Sequence, residues 1–137
     1  MAARTSVNFG RKHANPIPNA CRIGNLVMSS VIIGTDPVSG EMPPDMVSQC
    51  RNMFAHVRGI AEAAGGSTDD IIKMTVWLKN LADRTALNDE WLRMFPDPAT
   101  RPARHAHQYV GDLAALIQCD MTLYIGAGIR QTTRGDE

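Results

Sequence analysis

Three polar side chains, Arg104, Asp120 and Asn88, sit inside predicted elements and have complementary chemistry. Arg104 opens a stretch, Arg104 to Val110, that reads as a strand. A guanidinium keeps its charge at every working pH, and its planar fork matches a carboxylate with two hydrogen bonds. Asp120 stands on the polar side of a clearly alternating stretch, Leu116 to Ile125. Burial raises a carboxyl pKa toward the range in which the group can take up and return a proton. Asn88 lies on a helical stretch, within Ala86-Leu87-Asn88-Asp89, where it either faces solvent or lines a cleft. Each has a plainer alternative. Arg104 could form a surface or intersubunit salt bridge, and Asp120 could be a hydrogen-bonded member of a polar sheet face.

His105 and His107 alternate on one strand and invite a metal reading. A zinc site needs a third and usually a fourth ligand, and neither His13, on an N-terminal arm, nor His56, on a helix, stands at ligand spacing. No metal is expected, and strand parity turns the pair away from Arg104. Cys21, Cys50 and Cys119 are odd in number and widely spaced, which suits buried small hydrophobes in a reducing compartment. The glycines mark turns and form no phosphate-binding loop. Fourteen basic residues balance fourteen acidic ones, so the basic excess that drives nucleic-acid binding is missing. No apolar run is long enough to span a membrane. The opening residues lack the apolar centre of a signal segment, and a cytoplasmic location is expected.

The elements that must position these groups follow from periodicity. The 137 residues are read as a single domain, with an arm over 1–15 and a loose tail over 127–137. Gly24-Asn25 between two apolar segments signals a hairpin whose second strand runs Leu26 to Ile33. Asp45 can cap a helix whose stripe is Val47, Cys50, Met53, Phe54, Val57, Ile60, Ala61 and Ala64, stopped by Gly65-Gly66. Ser67 to Asp70 starts a short helical turn before a strand, Ile72 to Leu78, with Met74, Val76 and Leu78 on one face. A second helix spans Asp83 to Met94, with Leu87, Trp91 and Met94 on its apolar side. The order β-β-α-β-α-β-β gives an α+β two-layer domain, with two helices covering one face of a sheet. The other face carries Trp77, Tyr124 and Ile32 or Ile33. Such a face is costly to leave wet, so an oligomer that buries it is expected.

Several segments, in this order, resemble the Rid family, also called the YjgF or UK114 family, from about Pro16 to Ile125. ACRIGNLVMSSVIIGTDPVSGE resembles the family's opening hairpin, and IAEAAGGSTDDIIKMTVWLKNLAD its helix-to-strand link. LNDEW, RPARHAH and LIQCDMTLYIG resemble its asparagine site, its Pro-Ala-Arg signature (Pro102, Ala103, Arg104) and its final strand. The resemblance implies a chorismate-mutase-like fold with a mixed sheet. It also implies a homotrimer with clefts between subunits, and hydrolysis of imine or enamine acids to 2-oxo acids and ammonia without metal or organic cofactor. Arg104 then binds the substrate carboxylate, and Asp120 places or activates water. Four positions depart from the family pattern. Ile17 stands where a tyrosine is frequent, and Ser30-Val31-Ile32 where Ser-Gly-Gln is usual. Ala106 replaces a frequent cysteine, and Asp120 a glutamate. The substrate-binding set read this way is Asn88, Ile17, Val31 and Ala106.

The bulkier, more apolar lining points to a larger or flatter substrate than a small imino acid, such as a 2-aminomuconate-like dienamine. The competing reading is a non-catalytic protein that binds a carboxylated metabolite. An RNA-acting role, sometimes attached to the family, is disfavoured by the zero net charge.

Overall fold

The computed structural model describes residues 3–10, 13–111 and 114–126. Seven strands, β1 (Thr5–Val7), β2 (Ala20–Ile23), β3 (Leu26–Ser29), β4 (Ile32–Ile33), β5 (Ile71–Leu78), β6 (Ala103–Gln108) and β7 (Ile117–Tyr124), form one sheet. Its path is β1-β2-β3-β7-β5-β6, with β4 also on β7. Only β5 and β6 pair in parallel, so the sheet is mixed. Helices α1 (Met46–Ala63) and α2 (Arg84–Met94) cover one face, giving the expected two-layer α+β architecture.

Alternation determines which face each strand residue joins. Met74, Val76 and Leu78 of β5 lie beside Met121, Cys119 and Ile117 of β7, and all six are buried under the helices. Helix α1 begins where the Asp45 carboxylate accepts a hydrogen bond from Ser48 N at 2.9 Å. It ends at Gly65, whose φ of 94° suits a residue without Cβ. Its buried stripe includes Cys50, Met53, Phe54, Val57, Ile60 and Ala61.

Val47, expected on that stripe, is instead 55% exposed, and Gln49 is fully buried. The amide of Gln49 explains the exchange. Its Nε2 donates to Pro43 O and Ala114 O, and its Oε1 accepts from Leu116 N. A buried polar side chain is tolerated when its donors and acceptors are matched, and this one ties α1 to the approach of β7.

Three further expectations are corrected. The arm contains β1, which adds to the sheet edge because Val7 can bury its side chain there. The strand foreseen over Leu26 to Ile33 is two strands. β3 sets Met28 opposite Thr122, whereas β4 sets Ile32 opposite Cys119. Residues 29–31 therefore span only two residues of β7, which is a β-bulge. Of the two isoleucines there, Ile32 is buried in the core and Ile33 lies beside Gln118 on the uncovered face. Lastly, Cys50 and Cys119 are buried but Cys21 is only partly so. The tail over 127–137 lies outside the described residues. Among the described residues no helix is long and apolar enough to cross a membrane.

Candidate active site

Arg104 reaches its position through the loop after α2. The Arg101 guanidinium donates to Phe95 O at 2.9 Å and Pro96 O at 3.3 Å, holding the end of that helix against the start of β6. β6 then runs along the outer side of β5, with Arg104 beside Met74 and Ala106 beside Val76. Both therefore face the helical layer. Arg104 Nη2 donates to Asn88 Oδ1 at 2.9 Å, and the guanidinium carbon lies 4.9 Å from the Trp91 ring centroid. The two α2 residues are three apart and project from one side of the helix. One fixes the fork by a hydrogen bond, the other by cation–π contact.

The remaining fork has no partner. Nη1 of Arg104 is buried and makes no hydrogen bond. Among the described residues the one ion pair joins Arg93 to Glu90, at 2.7 Å. Burial, reinforced by the nearby Arg84 charge, pulls the Arg104 pKa below its ordinary value. A partly dehydrated cation with a free donor and no counter-ion is poised to take an anion from outside the chain.

Asp120 lies on the other side of the sheet. It pairs with Thr75, which in turn pairs with His105. These three face away from the helices. Burial raises the Asp120 carboxyl above the usual carboxylate range, opposed in part by Lys73. His107 stacks on Trp77 and lies against His105 on this face, turned from Arg104 as strand parity requires. Among the described residues no three His, Cys, Asp or Glu side chains gather as a metal site.

The bulge over residues 29–31 sits across from Asp120 and Met121. Ser29 Oγ accepts from Met121 N at 2.9 Å. Ser30 donates to Asn19 O and Pro18 O, at 2.8 and 2.7 Å, which draws the Ile17 segment up to the bulge. Ile17 and Val31 are 44% and 42% exposed. They line adjoining concavities of about 500 and 340 Å³ that share His13.

The candidate residues thus fall into two groups. Arg104, Asn88 and Ala106 gather on the helical side, joined by Trp91. Asp120, Val31 and Ile17 are associated with the bulge. One strand separates β6 from β7, so the backbones at Arg104 and Asp120 are roughly 10 Å apart, with diverging side chains. A single protomer does not bring them to one reacting atom. Neither concavity is lined by Arg104 or Asp120. Sequence reasoning placed Trp91 in the core and did not single out Arg84. The spacing of Arg84, Asn88 and Trp91 along α2 is the signal that links them.

Comparison with known proteins agrees with this architecture. A family model described as Endoribonuclease L-PSP matches residues 12–121. A RutC family protein of Haemophilus influenzae is 42% identical over 82 residues, covering 60% of this chain and 63% of that protein. A 2-iminobutanoate/2-iminopropanoate deaminase of Escherichia coli is 37% identical over 90 residues, covering 65% of this chain and 70% of the relative. The chain therefore spans just under two thirds of the first relative and slightly more of the second. The crystal structure of the Escherichia coli YjgF gene product matches with a TM-score of 0.80 and 27% identity, covering 88% of this chain and 98% of that one. RidA from an Antarctic Psychrobacter matches with a TM-score of 0.79 and 28% identity, covering 91% of this chain and 100% of that one. With the family model spanning most of the sequence, and the sheet, helices and Arg104 strand arranged as the family pattern implies, the chain belongs to the Endoribonuclease L-PSP family, the Rid or YjgF family.

Proposed function

We propose that the chain is a hydrolytic deaminase of an imine or enamine bearing a carboxylate, releasing ammonia and a 2-oxo acid, in clefts between the subunits of a homotrimer. The observation that carries this reading is the unsatisfied Nη1 of Arg104, on a guanidinium held by Asn88 and Trp91 with no carboxylate of its own. A substrate carboxylate supplies the missing acceptor and charge. The Escherichia coli relative named as a 2-iminobutanoate/2-iminopropanoate deaminase supports the choice of reaction.

The chemistry needs only water and these side chains. An enamine first takes a proton on carbon and gives one up from nitrogen, becoming the imine. Water then adds to the imine carbon, the C=N π pair moves to nitrogen, and nitrogen gains a proton. Asp120, kept by burial closer to a useful pKa, accepts a proton from the attacking water and passes it to the nitrogen. The carbinolamine hydroxyl then gives its proton, through Asp120, to the nitrogen; the C–N bond breaks as C=O forms, and ammonia leaves.

The two groups face opposite sides of one sheet, so the acid acting on an Arg104-bound substrate belongs to a second copy. The uncovered face favours such an assembly. Ile23, Leu26, Met28 and Tyr124 are 54%, 44%, 56% and 38% exposed there, a patch that association would bury. Ile17, Val31 and Ala106 contribute hydrocarbon walls. These suit a planar conjugated chain such as a 2-aminomuconate-like dienamine.

The test is ammonia release from freshly generated imines and aminomuconates by native and Arg104→Ala protein. The native protein is expected to accelerate release and the variant to lose most of that acceleration. Equal rates would overturn the proposal. Saturable carboxylate binding without turnover would assign the chain to metabolite binding instead.

A further inference from the structure

Helix α2 presents a second cation to the site. Arg84, Asn88 and Trp91 are spaced i, i+4 and i+7, so they lie along one side of the helix. Asn88 and Trp91 both touch Arg104. Arg84 therefore stands one turn from Asn88, about 5–6 Å along the surface that holds the guanidinium. Its charge is close enough to act on Arg104. It is exposed, and no ion pair or hydrogen bond engages it among the described residues.

Two like charges on one small surface repel. Here two arginines stand beside each other, and among the described residues neither is ion-paired with an acid. A single bound carboxylate compensates Arg104 and leaves Arg84 uncompensated. A ligand with two anionic groups compensates both.

From this we infer that Arg84 is a specificity residue for the proposed deamination: with Arg104 on the carboxylate next to the reacting carbon, it binds a second anionic group further along the substrate, so the preferred substrate is a dianion such as a dicarboxylic imine or enamine. The inference rests on the deaminase reading, because Arg104 defines which end of the substrate reacts. Arg84 touches no reacting atom. It selects substrate by charge.

The experiment compares two imines made in situ by oxidation of the corresponding amino acids, one from a monocarboxylic and one from a dicarboxylic amino acid of similar length. The kcat/KM for each is measured with native, Arg84→Ala and Arg84→Lys proteins. The ratio of dianion to monoanion kcat/KM is expected to exceed unity in the native protein. It should fall about 10- to 100-fold in Arg84→Ala, with Lys recovering part of the loss. An unchanged ratio in Arg84→Ala would overturn the inference and point to an Arg84 that pairs with a carboxylate of a second copy. A parallel titration of glutarate and butyrate by calorimetry reads the same preference without turnover. If the native protein deaminates neither imine, the deaminase reading fails, and the glutarate-to-butyrate affinity ratio still decides the role of Arg84. Loss of that preference in Arg84→Ala supports it, and an unchanged ratio refutes it.

Discussion

Replacing Arg104 by methionine separates the two things a partly buried arginine can do. Methionine is unbranched and matches the arginine stem only as far as Nε, so it keeps the hydrocarbon stem while removing the charge, the donors and the guanidinium over the Trp91 ring. On the stability side, the variant loses one hydrogen bond to Asn88 at 2.9 Å and the contact with Trp91. These contribute about 1.5–3 and 0.5–1 kcal/mol respectively. Against that, it removes a buried Nη1 without a partner, which costs about 1–3 kcal/mol, and it relieves repulsion from Arg84. The changes nearly cancel. Tm is expected to stay within roughly 5 °C of the native value, since about 1 kcal/mol corresponds to a few degrees in a chain of this size. On the functional side, the substrate carboxylate loses a bidentate charged partner, with about 1.5–3 kcal/mol for each bond. That amounts to about a 10²- to 10⁴-fold loss in kcat/KM. Calorimetric melting and steady-state ammonia release measure the two sides. A melting point lowered by more than roughly 10 °C, with kcat/KM within threefold of native, would show that the guanidinium serves the fold and would refute the anion-site reasoning.

Three other substitutions test separate links. Burial raises the Asp120 pKa, so its base form should be lost on acidification at a pH above the ordinary carboxylate value, giving kcat/KM an acidic limb that Asp120→Asn abolishes along with about 10²-fold of the rate. The folded state then holds this proton more tightly than the unfolded chain does. Stability from this group consequently falls as pH rises through the window between the two pKa values, and Asp120→Asn should melt no lower than native at pH 7. Gln49→Leu strands the Leu116 N–H and two carbonyls in the interior, and urea titration is expected to show a loss of about 2–4 kcal/mol. Under the proposed assembly, Met28→Arg places a charge on the exposed apolar face, and light scattering should find dissociated protein that has also lost the proposed deaminase activity.

Much of the site was legible because chemistry and periodicity are local. Arg104 was readable as a strand cation able to pair with a carboxylate, and Asp120 as the acid on the polar face from the alternation of Leu116 to Ile125. The pairing of Met74 with both Arg104 and Met121 shows why these do not sum to a site in one chain. Which face a β6 residue joins depends on its register against β5, and register is a relation between strands that one strand's alternation cannot state. The same holds for Trp91. Its period marks it as apolar, but only the crossover from β5 to β6 lays its ring under a guanidinium.

Local sequence was enough for both helices, the first hairpin and the three long strands, for the covered and uncovered faces of β5 and β7, for the caps at Asp45 and Ser67, and for the residue types available for chemistry, but not for β1 or the break between β3 and β4. Those follow from side-chain period and from hydrogen bonds made within a few residues. Tertiary structure alone decided the bulge at residues 29–31, the burial of Gln49 in place of Val47, and the division of the candidate residues between two sides of the sheet. Each of these depends on how segments distant along the chain register against one another, where shape and hydrogen-bond matching outweigh local preference.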